Sequence, residues 1–397
     1  MATTNSMAEL QTADNKPAGR LLVLLIGAQT AQVEPLVGNL SAALPNEELI
    51  LAVPEGTATE QQSKLRFVDL PASKPSWILT AADFVHALQL AQKNEAHAIL
   101  MLGPEAVSLE AEGLARLARA ASMPGIDLAV PCYALPSRGG LVNSAILYPL
   151  SRALFANRAR FPLAVDLGVS LRMAERLGAA AQKLVSLHQG DVPMWVVSDA
   201  MVGGMKIEEI DAGPRTLPQP GEPDLNTILP FVTGSLFSDI EAKAAFWQRA
   251  RVSPPLHRQS AIASSVVDGS TEVASMLEGF RLAYENLREI WGLVLPPNAM
   301  LGLKRLSTIN GAAFRMPEAL WARIVFDFLI AYRMRTINRG HLLGALIPLY
   351  LAWVASHINT IAAGDDPERH IEVHAAAFEA EKAYLVARWR WPDRFNP

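Results

Sequence analysis

DLAVPCYALPSRGGLVNSAILYPLSRALFANRARFPLAVDLGVS, residues 127–170, is the stretch whose reading decides the fold. It opens as a buried strand through Leu128, Ala129 and Val130, stopped by Pro131. A loop carrying Gly139 and Gly140 follows, then an amphipathic helix through Ile146, Leu150 and Phe155. The stretch ends on Asp166, an acid held between Pro162 and Gly168. A strand whose loop leads to a carboxylate is the way an α/β protein presents chemistry at the carboxyl ends of its strands.

Outward from this stretch, strands and helices alternate. The apolar runs Leu21–Ile26, Leu49–Val53, Ala98–Leu102 and Leu128–Pro131 read as strands. Helical spacing predicts Glu34–Leu44, Ala82–Lys93 and Leu109–Ala121 between them. Such alternation implies a mostly parallel sheet with helices on both faces. The segment GPRTLPQPGEP, Gly213–Pro223, marks a long loop. Beyond Leu225 the pattern turns helical, over Ser238–Ala250, Glu272–Trp291, Pro317–Thr336, His341–Ile361 and Ile371–Trp389. The expected organisation is a polar, disordered stretch at 1–19, an α/β domain over 20–235 and an α-helical domain over 236–397.

Composition agrees. At 397 residues the chain is longer than one core usually grows, so two domains are expected. Half of the residues are hydrophobic and 19% are charged, enough for a large core. A net charge of −4 gives no basic footprint for nucleic acid. The single cysteine, Cys132, excludes an intrachain disulfide and fits a reducing, cytoplasmic setting, with Cys132 a small core residue behind its strand. The run LLVLLIG behind Arg20 imitates a signal-peptide core, yet suits a first buried parallel strand. Likewise LLGALIPLYLAWVASHINTI, Leu342–Ile361, has the length of a bilayer span without a formal charge. Its Pro348, Ser356, His357, Asn359 and Thr360 favour a helix buried in a bundle, so no membrane span is expected.

With those residues in view, the chain resembles a branch of GT-A-fold (Rossmann-like) glycosyltransferases that includes mannosylglycerate and glucosylglycerate synthases. The resemblance rests on Asp127, Pro131, Tyr133, Asn143, Tyr148, Pro149, Leu150, Arg152, Ala153, Leu154, Arg158, Arg160, Pro162, Asp166, Gly168 and Ser170 at fixed spacing. Met194–Gly213 and the helical stretches Met316–Arg333 and Ile337–Ile358 extend it over most of residues 98–360.

The resemblance implies hexosyl transfer from a nucleoside diphosphate sugar to a small, glycerate-like acceptor or a glycan. As the glycosidic bond breaks, the leaving diphosphate gathers charge that must be stabilised. In the family an Asp-x-Asp after a strand holds Mg²⁺ or Mn²⁺ for that purpose. Here the strand AILML runs into Gly103-Pro104-Glu105, and the family's downstream histidine falls near Thr216. Two of three ligands are missing, so no preformed metal site is expected. The family's Gly-Gly before its acceptor-site aspartate is Ala164-Val165, and its lysine-bearing loop is WILTAAD, Trp77–Asp83. Within the resemblance the residues offered for catalysis are Asp166 and Asp191. Those offered for substrate binding are Glu105, Tyr133, Arg138, Asn143 and Trp195.

Each residue also has a structural reading. Glu105 suits a helix amino terminus, where negative charge is favoured. Asp166 would cap a helix starting near Leu167. Asp191 in HQGDVP suits a turn, Trp195 and Tyr148 suit packing, and Arg138 a solvated loop. His370 and His374 lie one turn apart without further zinc ligands in reach of the pattern. No GxSxG, Walker loop or GxGxxG occurs, which disfavours a dinucleotide-dependent oxidoreductase. Two function classes stay open. One is a hexosyltransferase working without the usual metal, with Asp166 or Asp191 as base and loop arginines on the diphosphate. The other is a non-catalytic homologue that binds or scaffolds, as a homo-oligomer or beside an active glycosyltransferase.

Overall fold

Leu21–Leu25 is apolar and buried at every position, as a central strand covered on both faces requires. It forms β1 of a seven-stranded sheet in the computed structural model, which describes residues 20–57, 64–71, 77–216, 225–250 and 270–392. The other strands are β2 (Leu49–Pro54), β3 (Leu65–Leu70), β4 (Ala98–Leu102), β5 (Leu128–Ala134), β6 (Leu167–Ser170) and β7 (Ile207–Pro214). Their order is β3-β2-β1-β4-β6-β5-β7. All pairings are parallel except those of β6, which runs antiparallel to β4 and β5. The α/β reading therefore holds, and the four strands expected from apolar runs are present.

The three strands that the sequence did not show have physical reasons for being hidden. β3 and β7 lie at the two edges and carry polar side chains, Arg66, Asp69, Glu208, Glu209 and Asp211 among them. β6 is four residues long and fits only because Gly168 lacks a Cβ. An added Cβ would sit 2.8 Å from that of Ala121 and 3.0 Å from that of Ala129. The expected helix at Leu167 is thus a strand. The helix begins four residues later as α5, capped by the Ser170 hydroxyl, which accepts from the Met173 N–H at 3.2 Å.

Helices α1 (Thr30–Ala43), α2 (Ala81–Lys93), α3 (Ala111–Ser122), α5 (Leu171–Ser186) and α6 (Val196–Val202) accompany the sheet. Between α3 and α5, the helix foreseen through Ile146–Phe155 is a wide turn, Asn143–Leu147, that runs into α4 (Tyr148–Phe155). From Leu225 onward the described residues are helical: α7 (Leu225–Ala242), α8 (Ala244–Trp247), α9 (Ser270–Gly292), α10 (Pro297–Ser307), α11 (Glu318–Met334), α12 (Arg339–Ala362), α13 (Pro367–Ala380) and α14 (Lys382–Arg390). Residues 1–19 and 217–224, which the sequence reading placed in a disordered terminus and a loop, lie outside the described residues.

Two apolar cores result. One fills the sheet and its flanking helices. The other joins the carboxy-terminal helices with α4 and Trp195 from the first half. Among the described residues α12 is the one helix long and apolar enough to cross a membrane, and 72% of its apolar window is buried in this second core.

α4 is fastened by charge as well. Arg152 meets Glu372 at 2.7 Å and Glu379 at 2.8 Å, and the Tyr148 hydroxyl donates to Glu372 at 2.7 Å. Arg160 donates to both carboxylate oxygens of Glu368, at 3.1 and 3.2 Å, with its guanidinium 5.1 Å from the Tyr148 ring centre. Thus Tyr148, Arg152 and Arg160 of the family-like stretch clasp α13.

Candidate functional site

Because β6 is antiparallel, its first residue lies beside the end of β4, while it pairs with the first residues of β5, Leu128 and Ala129, so that the rest of β5 runs on past Asp166 alongside β7. Four strand ends therefore bring Gly103, Tyr133, Asp166 and Arg215 together. The Asp166 carboxylate is fully buried. It accepts from the Gly103 N–H at 2.9 Å, from the Tyr133 hydroxyl at 2.6 Å and from the Arg215 Nε at 2.6 Å. The Arg215 guanidinium lies 4.9 Å from the Tyr133 ring centre, and Tyr133 packs on Phe161 at 5.1 Å.

Burial disfavours the charged form of both side-chain partners of Asp166; the carboxylate opposes it at Arg215 and reinforces it at Tyr133. Burial alone would pull the Arg215 guanidinium down, but the Asp166 carboxylate beside it, first among the opposing influences, outweighs that and holds it above its ordinary value. The Tyr133 phenol is pushed well up, first by burial and then by Asp166, so it stays a donor to the carboxylate.

Above this cluster lies a cavity of about 400 Å³ between the sheet's carboxyl edge and the helical half. Tyr133, Arg138, Asn143 and Arg215 line it from the first half, with Ile228 and Val232 of α7 and Tyr350 of α12 from the second. Most of its wall is apolar, including Leu141, Val142, Leu163 and Val165. Among the described residues its lining contains two arginines and no carboxylate. Arg138 is braced by Glu272 of α9 at 2.8 Å. The Asn143 amide donates to the Arg160 carbonyl at 2.9 Å, which fixes the turn that forms one wall. Arg215 Nη2 is buried with no hydrogen-bond partner, although only 3% of the Arg215 side chain is exposed.

The sequence-predicted residues thus separate. Tyr133, Arg138 and Asn143 line the cavity, and Asp166 lies beneath it. Glu105, half-buried on the turn Pro104–Ser108, adds its field to that holding Arg215 charged. Trp195 is buried in the helical core and donates its indole N–H to the Ser235 hydroxyl at 3.0 Å. Asp191 is exposed on the segment that pairs with residues 79–82 at the start of α2. Neither of these two lines the cavity. Arg215 escaped the sequence reading because it follows an edge strand that was not recognised. The signal was an arginine right after DAGP, once β7 is paired with β5.

The fit of a divalent ion can be judged from the side chains. Gly103 offers no donor, and a Cβ there would lie 2.9 Å from Val165 Cγ1 and 3.6 Å from Arg215 Nη2. Thr216 gives its N–H to Ser108 at 2.9 Å and has no imidazole. Asp166 is already satisfied by three donors, and the guanidinium supplies the positive charge that an ion would bring. The residues present do not suit Mg²⁺ or Mn²⁺ at this place. Among the described residues no group of three or more His, Cys, Asp or Glu is arranged to hold a metal.

No protein-family model matches the sequence. No curated protein matches it either. Solved structures do. Glucosyl-3-phosphoglycerate synthase from Mycobacterium tuberculosis, in complex with Mn²⁺ and UDP-glucose, is similar at 14% identity over 56% of this chain and 78% of that one, with a TM-score of 0.36. Its complex with Mn²⁺, UDP and glucosyl-3-phosphoglycerate is similar at 15% identity over 56% and 79%, with a TM-score of 0.38. The crystal structure of a mycobacterial protein is similar at 13% identity over 56% and 74%, with a TM-score of 0.36.

Proposed function

We propose that this chain is a glycosyltransferase-like protein of the GT-A type that binds a ligand at the sheet's carboxyl edge without metal-dependent hexosyl transfer. The observation that carries this is the Asp166–Arg215 pair. A general base must come within hydrogen-bond reach of the proton it removes. Asp166 is fully buried and its oxygens are engaged by Gly103, Tyr133 and Arg215. An acceptor hydroxyl has no path to it without displacing the guanidinium. Asp166 therefore positions Arg215 and Tyr133 under the cavity, and does not act as a base.

A second reading has one observation in its favour, the two arginines in a lining whose described residues include no carboxylate. Arg138 and Arg215 would then take the diphosphate of a nucleotide sugar in place of a metal, with Asp191 or another group as base.

Turnover decides between them. Incubation with UDP-glucose, GDP-mannose and other nucleoside diphosphate hexoses, with glycerate and 3-phosphoglycerate as acceptors and with or without Mn²⁺, is expected to release no nucleoside diphosphate above the uncatalysed rate. Stoichiometric release that depends on acceptor would establish transfer and end the binding-only reading.

A further inference from the structure

Resting on the reading of the cavity as a binding site, we infer that its ligand is an amphiphile: an apolar body carrying one anionic head, a carboxylate or a phosphate ester. Three features converge on this. The first is the wall, in which Leu141, Val142, Leu163, Val165, Ile228 and Val232 present only hydrocarbon. A hexose or ribose laid against this wall would leave the hydroxyls that face it without partners, and each unpaired hydroxyl is costly in an apolar site. The second is charge: Arg138, braced from outside the lining by Glu272, and Arg215, held from beneath by Asp166, are the ionised groups of the lining, and no carboxylate is among its described residues.

The third is the unmet hydrogen-bonding capacity. Arg215 Nη2 is buried and has no partner, while Nε is fixed by Asp166 and Nη1 reaches the Thr216 carbonyl at 3.3 Å. Tyr350, 4% exposed, also lines the cavity, and burial raises its phenol above the ordinary range, so it remains a hydrogen-bond donor. An anionic head between these donors would meet the Arg215 guanidinium, and a small turn of the side chain would let Nη2, closed off in the unliganded chain, form a charge-assisted bond, the strong kind in a low-dielectric site. Asp166 makes this possible by holding the guanidinium in place from below. A volume of about 400 Å³ falls in the range of small-molecule sites, which suits a body of medium length.

The test uses the full chain and three probes of equal tail: decanoate, decyl phosphate and decanol. Calorimetry is expected to give saturable one-to-one binding of at least one anion, with decanol weaker by roughly tenfold or more, the usual worth of a charge-assisted bond. Whichever anion binds more tightly identifies the head. Ile228→Trp fills the cavity and is expected to abolish binding while leaving the melting temperature near that of the parent. Should that variant not fold, a photoreactive diazirine analogue of decanoate is expected to label peptides bearing Trp77, Phe161 or Leu163. Absence of saturable binding by both anions, equal binding of decanol, or labelling confined to other surfaces would each overturn the inference. Nucleoside diphosphate release in the turnover assay would instead overturn the binding-only function, so the two failures are told apart.

Discussion

Two buried clusters of opposite charge sit within the same family-like stretch and end in different places. Under the cavity, Asp166 holds Arg215, with the acid fully buried. At the clasp, Arg152 and Arg160 reach Glu372, Glu379 and Glu368 of α13. Both leave guanidinium nitrogens without partners: Nη2 of Arg215, Nε of Arg152 and Nη1 of Arg160. Of these three arginines it is Arg215 that lines the cavity described above. The difference teaches that residue type and spacing do not assign a role here. What lies over the cluster does: helix α13 turns one into a fastening, and an apolar cavity turns the other into a receptor for charge.

Removing one partner should hurt more where water cannot enter. Arg215→Met leaves a fully buried carboxylate without its counter-charge, held only by the Gly103 N–H and the Tyr133 hydroxyl, a loss of about 3–5 kcal/mol by the usual cost of orphaning a buried charge. Urea unfolding would show it, and adding Asp166→Asn to the same chain should recover most of the loss. A single Arg215→Met variant as stable as the parent would mean that the pair is solvated, and the contrast would collapse. Arg152→Met should cost somewhat less, on the order of 2–3 kcal/mol, because Glu372 is half-exposed and recovers water. It should leave binding of decanoate unchanged if the clasp and the cavity are separate devices.

The fold was legible where burial forces apolar runs, as in β1, β2, β4 and β5, and at the long helices of the second half. It was illegible where burial is one-sided or brief. β3 and β7 are polar edges, and β6 is too short for any period to show. The same blindness hid half of the site. Tyr133, Arg138 and Asn143 lie on the strand and loop that the sequence marked, and the cavity collects them. Arg215 comes from an edge strand far along the chain, and only the pairing of β7 with β5 brings it to Asp166. Asp166 itself stood out as an acid between small residues, but a carboxylate's accessibility is set by tertiary packing that no local pattern records.

Acid should loosen the clasp before the cavity cluster. His357 and His374 face the clasp's turn, where His374 Nε2 lies 3.2 Å from the Ala145 carbonyl. Burial pushes both down to about 3, and His370 next to them adds to the effect. Around them stand His370, Glu318, Arg160 and the ring of Trp353. A folded value below the ordinary 6.5 means that the unfolded chain takes up protons first, so stability is full above 6.5 and falls as pH drops towards 3. Between pH 6.5 and 5.5 the loss is about 1 kcal/mol per histidine. Denaturant titrations at the two pH values would measure it. His374→Phe should flatten the slope by about half, and an unchanged slope would assign the acid sensitivity elsewhere.

The smallest effect is expected at Asp191, and it sharpens the contrast from outside both clusters. Its carboxylate is exposed on the segment beside α2, away from the cavity lining. Its negative charge raises the nearby Asp83 carboxyl slightly, added to the larger rise from burial. Asp83 accepts from the Thr80 N–H and hydroxyl, both at 2.8 Å, at the start of α2, and its ionised form strengthens those bonds. Asp191→Asn removes a like charge from that neighbour and should shift stability by no more than about 0.5 kcal/mol, if anything upward. Binding of decanoate should stay as in the parent. If the variant instead lost nucleoside diphosphate release that the parent possessed, Asp191 would be the base of an active transferase. The exposed segment beside α2, and not the cavity, would then be where its chemistry occurs.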